Sequence, residues 1–473
     1  MPLCGVYKSS ILLLRRLIQL IKSIDPVLKE IASIFKNNGK DIFLVGGAVR
    51  DMLLGKKIHD WDLATDALPE EVTAIIKKAG GKVVPTGIKH GTVTVFYKKQ
   101  SAEITTFRTE EGYSDGRRPD QVHFAAAIEE DLSRRDFTMN AIALRLPEGE
   151  IVDPFGGKKD IKAGIIRCAG KASQRFKEDG LRPLRAVRFS AQLGFEIEKN
   201  TLEAISGALD VSAKVSSERV RDEIDKILGS AKPSRGLLLM EKTGLLGLFL
   251  AELSACRGVE QKGFHEFDVL DHCLYACDYA AANNYSRELR LASLFHDIGK
   301  PETRCIDLAG VYTFYRHEEV SANISRSVMS RLRYPNITID RVCHLIKEHM
   351  FHYSEEWTDA AVRRFIARIG EENLEDIYRL RRADIFGFCG KNPDYHSIEL
   401  LVERVNNVLN ESRAFTIKNL AVSGNDLMNA GIPAGKIMGM ILKELLETVL
   451  DDPRQNNQEK LLEIAVRIYG ERR

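Results

Sequence analysis

"LVGGAVRDMLLGKKIHDWDLAT", Leu44 to Thr65, decides how the rest of the chain is read. "DIFLVGG" (Asp41–Gly47) reads as a short buried strand ending in a glycine turn. "AVRDMLLG" reads as a helix that stops at Gly55. Asp60 and Asp62 then follow with one residue between them, where like charges repel. On a strand, side chains at i and i+2 share a face. Two carboxylates on one face suit a hard cation such as Mg²⁺, which takes oxygen ligands. A D-x-D alone is common in surface turns, and a Gly-Gly before a helix is a weak mark. The signal is their combination with an acid in the next β-rich run.

That run is "GTVTVFYKK" (Gly91–Lys99) followed by "SAEITTFRT" (Ser101–Thr109), two strands separated by a short turn. Glu103 is the candidate third acid, on a strand expected beside the first. Two metal ions about 4 Å apart clamp the attacking and leaving oxygens of an in-line phosphoryl displacement. Gly46 and Gly47 let backbone N–H groups approach a polyphosphate without side-chain obstruction. "EGYSDGRRPDQ" (Glu111–Gln121) is glycine-rich and charged and reads as a loop. Strands of this kind ahead of long helical stretches predict an α+β head.

The chain has 473 residues, which at about 150 residues per domain predicts roughly three units. A 44% hydrophobic and 29% charged composition is that of a globular protein. Net charge is +2, so a nucleic-acid partner must meet a local basic patch. The eight cysteines are scattered with no C-x-x-C pair, which points to free thiols in a reducing cytosol. "SSILLLRRLIQLIKSI" is interrupted by Arg15, Arg16 and Lys22 and falls far below the ~20 apolar residues that span a bilayer. It reads as an amphipathic helix, and the protein is expected to be cytoplasmic with no membrane partner.

From about residue 160 helical periodicity dominates. "LRPLRAVRFSAQLGF" places Arg182, Arg185 and Arg188 among apolar positions, where they suit either a binding role or a solvated basic face. A second constellation follows. His272 lies in "DVLDHCLYACDYA" and the pair His296–Asp297 in "LRLASLFHDIGKP". His317, His349, His352 and Asp384 come after. An adjacent His-Asp on an apolar helix is costly to bury without a partner or metal.

The order "LVGGAVRD…D-x-D-LAT…EITTFR…RRDFTMNA…EDxLRxLRAxRF" resembles the class II template-independent nucleotidyltransferases, which include tRNA CCA-adding enzymes and bacterial poly(A) polymerases. The resemblance runs from Leu44 to Phe189. "LAVSGNDLMNAGIPAGKIMG" (Leu420–Gly439) resembles the tail of CCA-adding enzymes. It implies a polymerase β-like nucleotidyltransferase head and helical neck, body and tail. Asp60, Asp62 and Glu103 would hold Mg²⁺, and Gly46, Gly47 and Arg50 would contact the triphosphate. Arg134, Arg135 and Asp136 would recognise the ribose, with Asn140 beside them. Asp179 and Arg182 would read the base edge, with Arg185 and Arg188 also on the nucleotide. If Asp179 and Arg182 lie on one helix they share a face. Pro183 in this motif would kink a helix that began earlier than Asp179 or Gly180.

The histidine series is similar to the HD domain of metal-dependent phosphohydrolases. That implies His272, His296, Asp297 and Asp384 as metal ligands, with His317 and His349 at a second metal. Such a mixed set suits Mn²⁺, Ni²⁺, Co²⁺ or Fe²⁺, acting on phosphate esters such as 2′,3′-cyclic ends. The expected segments are a helical extension (1–35), the head (36–160), a helical neck and body binding base and RNA (161–255), an HD domain (256–400) and a tRNA-binding tail (401–473). The implied activity is addition of CCA to tRNA 3′ ends from CTP and ATP.

Three alternatives stand beside it. One is a poly(A) polymerase, although "PTGIKHGTVTVFY" replaces the "GRRF"-like run of those enzymes. Another is CC-only or A-only addition, against which the Glu111–Gln121 loop resembles that of enzymes reaching the A step. The third is an HD phosphohydrolase with a degraded head, against which the D-x-D and "RRD" runs are intact. The sequence leaves the oligomeric state open.

Overall fold

A computed structural model describes residues 24–472 apart from 59, 113–120, 262–266, 309, 392 and 412–413. Most of the N-terminal extension, and most of the loop read over Glu111–Gln121, lie outside the described residues. The chain divides into two compact units, Met1–Ala251 and Glu252–Arg473.

In the first unit the strands up to residue 152 are β1 (Ile42–Val45), β2 (Asp62–Thr65), β3 (Lys82–Gly87), β4 (Thr92–Tyr97), β5 (Gln100–Thr106), β6 (Arg108–Glu111), β7 (Gln121–Phe124), β8 (Ala143–Leu146) and β9 (Ile151–Val152), and a short parallel pair, Ile165–Ile166 with Glu196–Ile197, follows. Seven of them form one sheet in the order β3-β4-β5-β2-β1-β8-β9, and β6 pairs with β7 in a separate hairpin. β2 and β5 run parallel, and β4 and β5 form the antiparallel pair read from the sequence. β4 alternates Val93, Val95 and Tyr97 inward with Thr92, Thr94 and Phe96 outward, the period of a half-buried strand. β1 is buried along its length, as its unbroken apolar run requires. Phe43, Val45, Ala64, Phe107 and Leu132 form a core beneath the sheet, with the Phe43 and Phe107 rings 5.7 Å apart. The helix Pro26–Asn37, capped by Asp25, adds Leu28, Ile31 and Phe35.

The expected helix after the glycine pair spans Gly47–Leu53. β2 is shorter than expected: Asp62 opens it, and Asp60 lies just before it. Helix Arg182–Leu193 carries Pro183 in its first turn. A missing N–H costs nothing there, so the proline does not displace Arg182. Asp179 is the extended residue that ends the preceding helix, Ala172–Glu178. Asp179 and Arg182 therefore do not share a helix, because the chain turns between them.

Among the described residues the second unit is helical apart from one antiparallel pair, Cys305–Ile306 with Tyr312–Thr313. Val269–Ala282, Arg287–Phe295, His317–Arg331, Asn336–Glu348 and Leu374–Cys389 carry or flank the histidine series. Helices 269–282 and 374–389 meet at Gly387, where a Cβ would lie 2.7 Å from the His272 carbonyl oxygen. Only glycine permits that approach, and it brings Asp384, three residues earlier, up to His272. Toward the C-terminus, Leu427, Ile441, Leu445, Val449 and Leu461 make a separate core. Arg363, itself buried, donates to the carbonyls of Leu450 (2.6 Å) and Asp451 (2.9 Å), closing the C-terminus of helix Lys436–Asp451.

Candidate active site

The head places its acids as neighbours on the sheet. Asp62 and Glu103 are register partners across the parallel pair β2–β5, and the Glu103 N–H donates to the Trp61 carbonyl at 3.1 Å. Asp60, Trp61, Asp62, Thr94, Ser101, Ala102 and Glu103 line an open cleft of about 380 Å³. Burial raises the Asp62 carboxyl above its ordinary range; Arg135 pulls it back and Asp60 adds to the rise. A carboxylate so placed gains from a cation on its oxygens, so this donor set fits a divalent ion bound by oxygen.

On the other side of Asp62 stands an arginine network. Gly46 adopts φ +71, and a Cβ there would lie 2.9 Å from Arg135 Nη1 and 4.0 Å from Asp62 Oδ2. Arg50 Nη1 donates to Asn140 Oδ1 at 2.9 Å. Asn140 Nδ2 donates to Asp136 Oδ1 at 3.0 Å, and Arg185 closes on Asp136 Oδ2 at 2.6 Å. Arg134 and Arg135 both pair with the buried Asp131, at 2.8 and 3.1 Å. Burial favours the protonated Asp136, yet Arg185, Asn140 and Arg182 together hold its carboxyl down at about 2.

The arginines of helix 182–193 do not form a solvated face. Arg182 and Arg188 are buried. Arg182 pairs with Glu178 at 2.5 Å and donates to the carbonyls of Arg134 (2.8 Å) and Arg175 (2.9 Å). Arg188 pairs with Glu223 at 2.6 Å and lies 3.9 Å over the Phe189 ring. Burial pushes the Arg188 guanidinium down to about 10 despite Glu223. The Arg182 backbone N–H donates to the Asp179 carbonyl at 3.0 Å, but the Asp179 carboxylate turns to other partners. It accepts from Arg219 at 3.2 Å and from the Leu181 N–H at 3.0 Å.

In the second unit the histidine series converges. His272, His296, Asp297 and Asp384 form one group whose ligand atoms lie within 4.8 Å of one another, and Asp297, His317 and His349 form another. His272 Nε2 stands 2.8 Å from His296 Nε2 and 3.1 Å from Asp297 Oδ2. Asp384 Oδ1 is 3.2 Å from His272 Nε2. The other Asp297 oxygen, Oδ1, faces His317 Nε2 at 3.1 Å and His349 Nε2 at 3.8 Å. The Nδ1 atoms of His296, His317 and His349 sit 2.9, 2.8 and 2.6 Å from the carbonyls of Ser293, Phe314 and Ile346. A carbonyl only accepts, so each Nδ1 carries the proton and each Nε2 lone pair points inward, as metal-ligating imidazoles require.

Burial works against a charge on His296, but Asp297 and Asp384 raise it to about 10. Burial, with the neighbouring His296, drops His349 to about 3. The two carboxylates thus draw positive charge to the centre, at His296, while His349 stays neutral; a metal ion among the Nε2 atoms would supply the same charge. The His296–Asp297 pair is not within a helix, since Arg287–Phe295 ends just before it. His352 is exposed and stands outside both groups.

Several partners escaped the sequence reading. Lys300 Nζ pairs with Asp297 Oδ2 at 2.6 Å and Arg381 with Asp384 at 2.5 Å. Both follow or precede their partner by three residues, a spacing that marks such pairs. Asp131 stands at the same spacing before Arg134 and one more before Arg135. Glu223 carries no local signal for its pairing with Arg188.

A nucleotidyltransferase head followed by helical substrate-binding regions is the class that this fold and site define. Residues 42–167 match the poly A polymerase head domain, residues 194–256 the probable RNA and SrmB- binding site of polymerase A, and residues 313–465 the tRNA nucleotidyltransferase domain 2 (putative). The chain is 34% identical to the CCA-adding enzyme of Lactobacillus johnsonii over 93% of its own length and 95% of that protein's. It is 45% identical to that of Geobacillus stearothermophilus over 57% of this chain and 62% of the other. Its fold is similar to the crystal structure of the Bacillus stearothermophilus CCA-adding enzyme in complex with CTP, with TM-score 0.71 and 32% identity, covering 95% of this chain and 99% of that one. The chain belongs to the CCA-adding enzyme family and is a nucleotidyltransferase.

Proposed function

We propose that the protein adds CCA to tRNA 3′ ends from CTP and ATP without a template. The observation that carries this reading is the register pairing of Asp62 with Glu103 beside a cleft, with Arg135 and Gly46 against Asp62 on the other side. Asp60, Asp62 and Glu103 would hold Mg²⁺, which when bound polarises the reacting phosphate and lowers the pKa of the attacking hydroxyl. Gly46, Gly47 and Arg50 receive the triphosphate, and Arg134, Asp136 and Asn140 hold the ribose; Arg135, read from the sequence as a ribose contact, stands against Gly46 and is moved to the triphosphate. Asp179 and Arg182 offer an acceptor and a donor fork to the base edge, Arg182 being oriented by Glu178. Arg185 and Arg188 support that surface through Asp136 and Glu223. The primer hydroxyl attacks the α-phosphate and pyrophosphate leaves, driven by positioning and preorganised charge. The head is assigned to 36–160, the base- and RNA-binding neck and body to 161–255 and the tRNA-holding tail to 401–473. No helix among the described residues is long and apolar enough to cross a membrane. A cytoplasmic location is part of the proposal, and a tRNA substrate supports it. Extension of tRNA that ends before its last three nucleotides tests this reading, with sequencing of the ends. CCA ends are expected. Ends stopping at CC or carrying long A tails would replace it with the CC-adding or poly(A) reading.

A second reading concerns residues 256–400, which we assign as an HD phosphohydrolase domain. The convergence of four inward Nε2 atoms on Asp297 and Asp384 favours it. Mn²⁺, Ni²⁺, Co²⁺ or Fe²⁺ suits that donor set, with Asp297 facing two metal positions through its two oxygens. The substrates proposed are phosphate esters such as 2′,3′-cyclic ends. Metal analysis of the purified protein and hydrolysis of a 2′,3′-cyclic nucleotide test it. Protein that carries no transition metal and hydrolyses nothing would refute it.

A further inference from the structure

The acid-bearing face of the head sheet does not end at Glu103. On β4 and β5 the outward residues are Thr92, Thr94 and Phe96, opposite Thr105, Glu103 and Ser101 respectively. Thr94 and Ser101 line the cleft that holds the acids. Phe96, the ladder partner of Ser101, is 45% exposed, and so is Val84 across from Thr94. An aromatic ring nearly half exposed on the face of these acids leaves apolar area in water, and its burial by a ligand is favourable.

The charge distribution says which ligand. In-line displacement puts the attacking and leaving oxygens on opposite sides of the α-phosphorus. The arginines that suit the leaving pyrophosphate, Arg50 and Arg135, lie with Gly46, Asn140 and Asp136 on one side of Asp62. Among the described residues the cleft on the other side is lined by acids, hydroxyls, Trp61 and Ala102 and by no Lys or Arg. That side suits the uncharged part of the attacking group, a ribose and its base, rather than a phosphate. Phe96 stands diagonally from Glu103, about 7–8 Å away on an antiparallel ladder. One nucleoside reaches from a hydroxyl at the acids to a base at that distance.

We propose that Phe96 is the stacking platform for the base of the primer's 3′-terminal nucleotide, and that it holds the attacking 3′-hydroxyl at Asp62 and Glu103. The inference rests on the nucleotidyltransferase reading above. Stacking on a ring tolerates any base, so one platform serves both a varied tRNA end and the C ends made during addition.

The test uses the full-length protein and shortened tRNA. Phe96→Ala should raise the KM for tRNA about tenfold, the scale of a lost base-aromatic stack, and leave CTP affinity and Tm as in the wild type. Phe96→Trp should keep the wild-type KM. Phe96→Leu, apolar but unable to stack, should behave like Phe96→Ala. With tRNA whose terminal nucleotide is abasic, wild type and Phe96→Ala should have the same KM. An unchanged KM in Phe96→Ala, or a tenfold gap that persists on the abasic primer, overturns the inference while the wild type still extends tRNA. A wild type that extends nothing overturns the underlying reading instead.

Discussion

Asp136→Asn removes the negative charge on which Arg185 and Asn140 converge, and its cost can be worked from the site. The carboxyl lies at about 2 against an ordinary 3.8. At 1.36 kcal/mol per pKa unit this corresponds to about 2 kcal/mol of stability supplied by the ionised form. Because the folded-state value is depressed, that contribution is complete above pH 3.8 and fades as pH falls toward 2. Urea unfolding at pH 7 should therefore find Asp136→Asn about 2 kcal/mol less stable than the wild type. The gap should be unchanged at pH 5 and should narrow below pH 4. Arg185 and Asn140, which in turn holds Arg50, would lose their common anchor, so the KM for CTP should also rise. Equal stability at pH 7, or a gap that widens on acidification, would refute the assignment of Asp136 as the ionised hub.

Two further variants probe the separate centres. Gly46→Ala forces a side chain into a left-handed backbone, at about 1–2 kcal/mol, and against Arg135. Nucleotide titration should show the KM for CTP raised about tenfold, on the scale of 1.4 kcal/mol per decade, and an unchanged KM would mean the triphosphate binds elsewhere. His296→Ala should abolish bound transition metal and cyclic-phosphate hydrolysis, measured by elemental analysis and product release, and leave CMP addition intact. Loss of both activities together would refute the division of labour between the two units.

The sequence made the head legible because its signals are local. The Gly-Gly turn, the D-x-D and the alternating β4–β5 pair each sit within a few residues, and the structure places the turn and the β4–β5 pair as read. Asp60 fell outside the strand because β2 begins only at Asp62. The helix carrying Arg182 was bounded by its own proline, since Pro183 fits a first turn and no later one. What the sequence concealed was pairing across distance. Asp136 meets Arg185 from 49 residues away, and Arg188 finds Glu223 on another helix, so three arginines that suit a solvated face are held inward. The histidine series was legible by type, but its convergence depends on Gly387, whose missing Cβ lets two helices close on His272.

The most direct measurement is the rate of CMP and AMP incorporation into tRNA lacking its terminal CCA, by the wild type and by Asp62→Ala, with Mg²⁺. The wild type should finish the ends as CCA and stop. Asp62→Ala should fall by at least about 1,000-fold, the loss expected when transition-state charge goes unstabilised, with its unfolding curve unmoved. A variant that still extends tRNA at the wild-type rate would contradict the account.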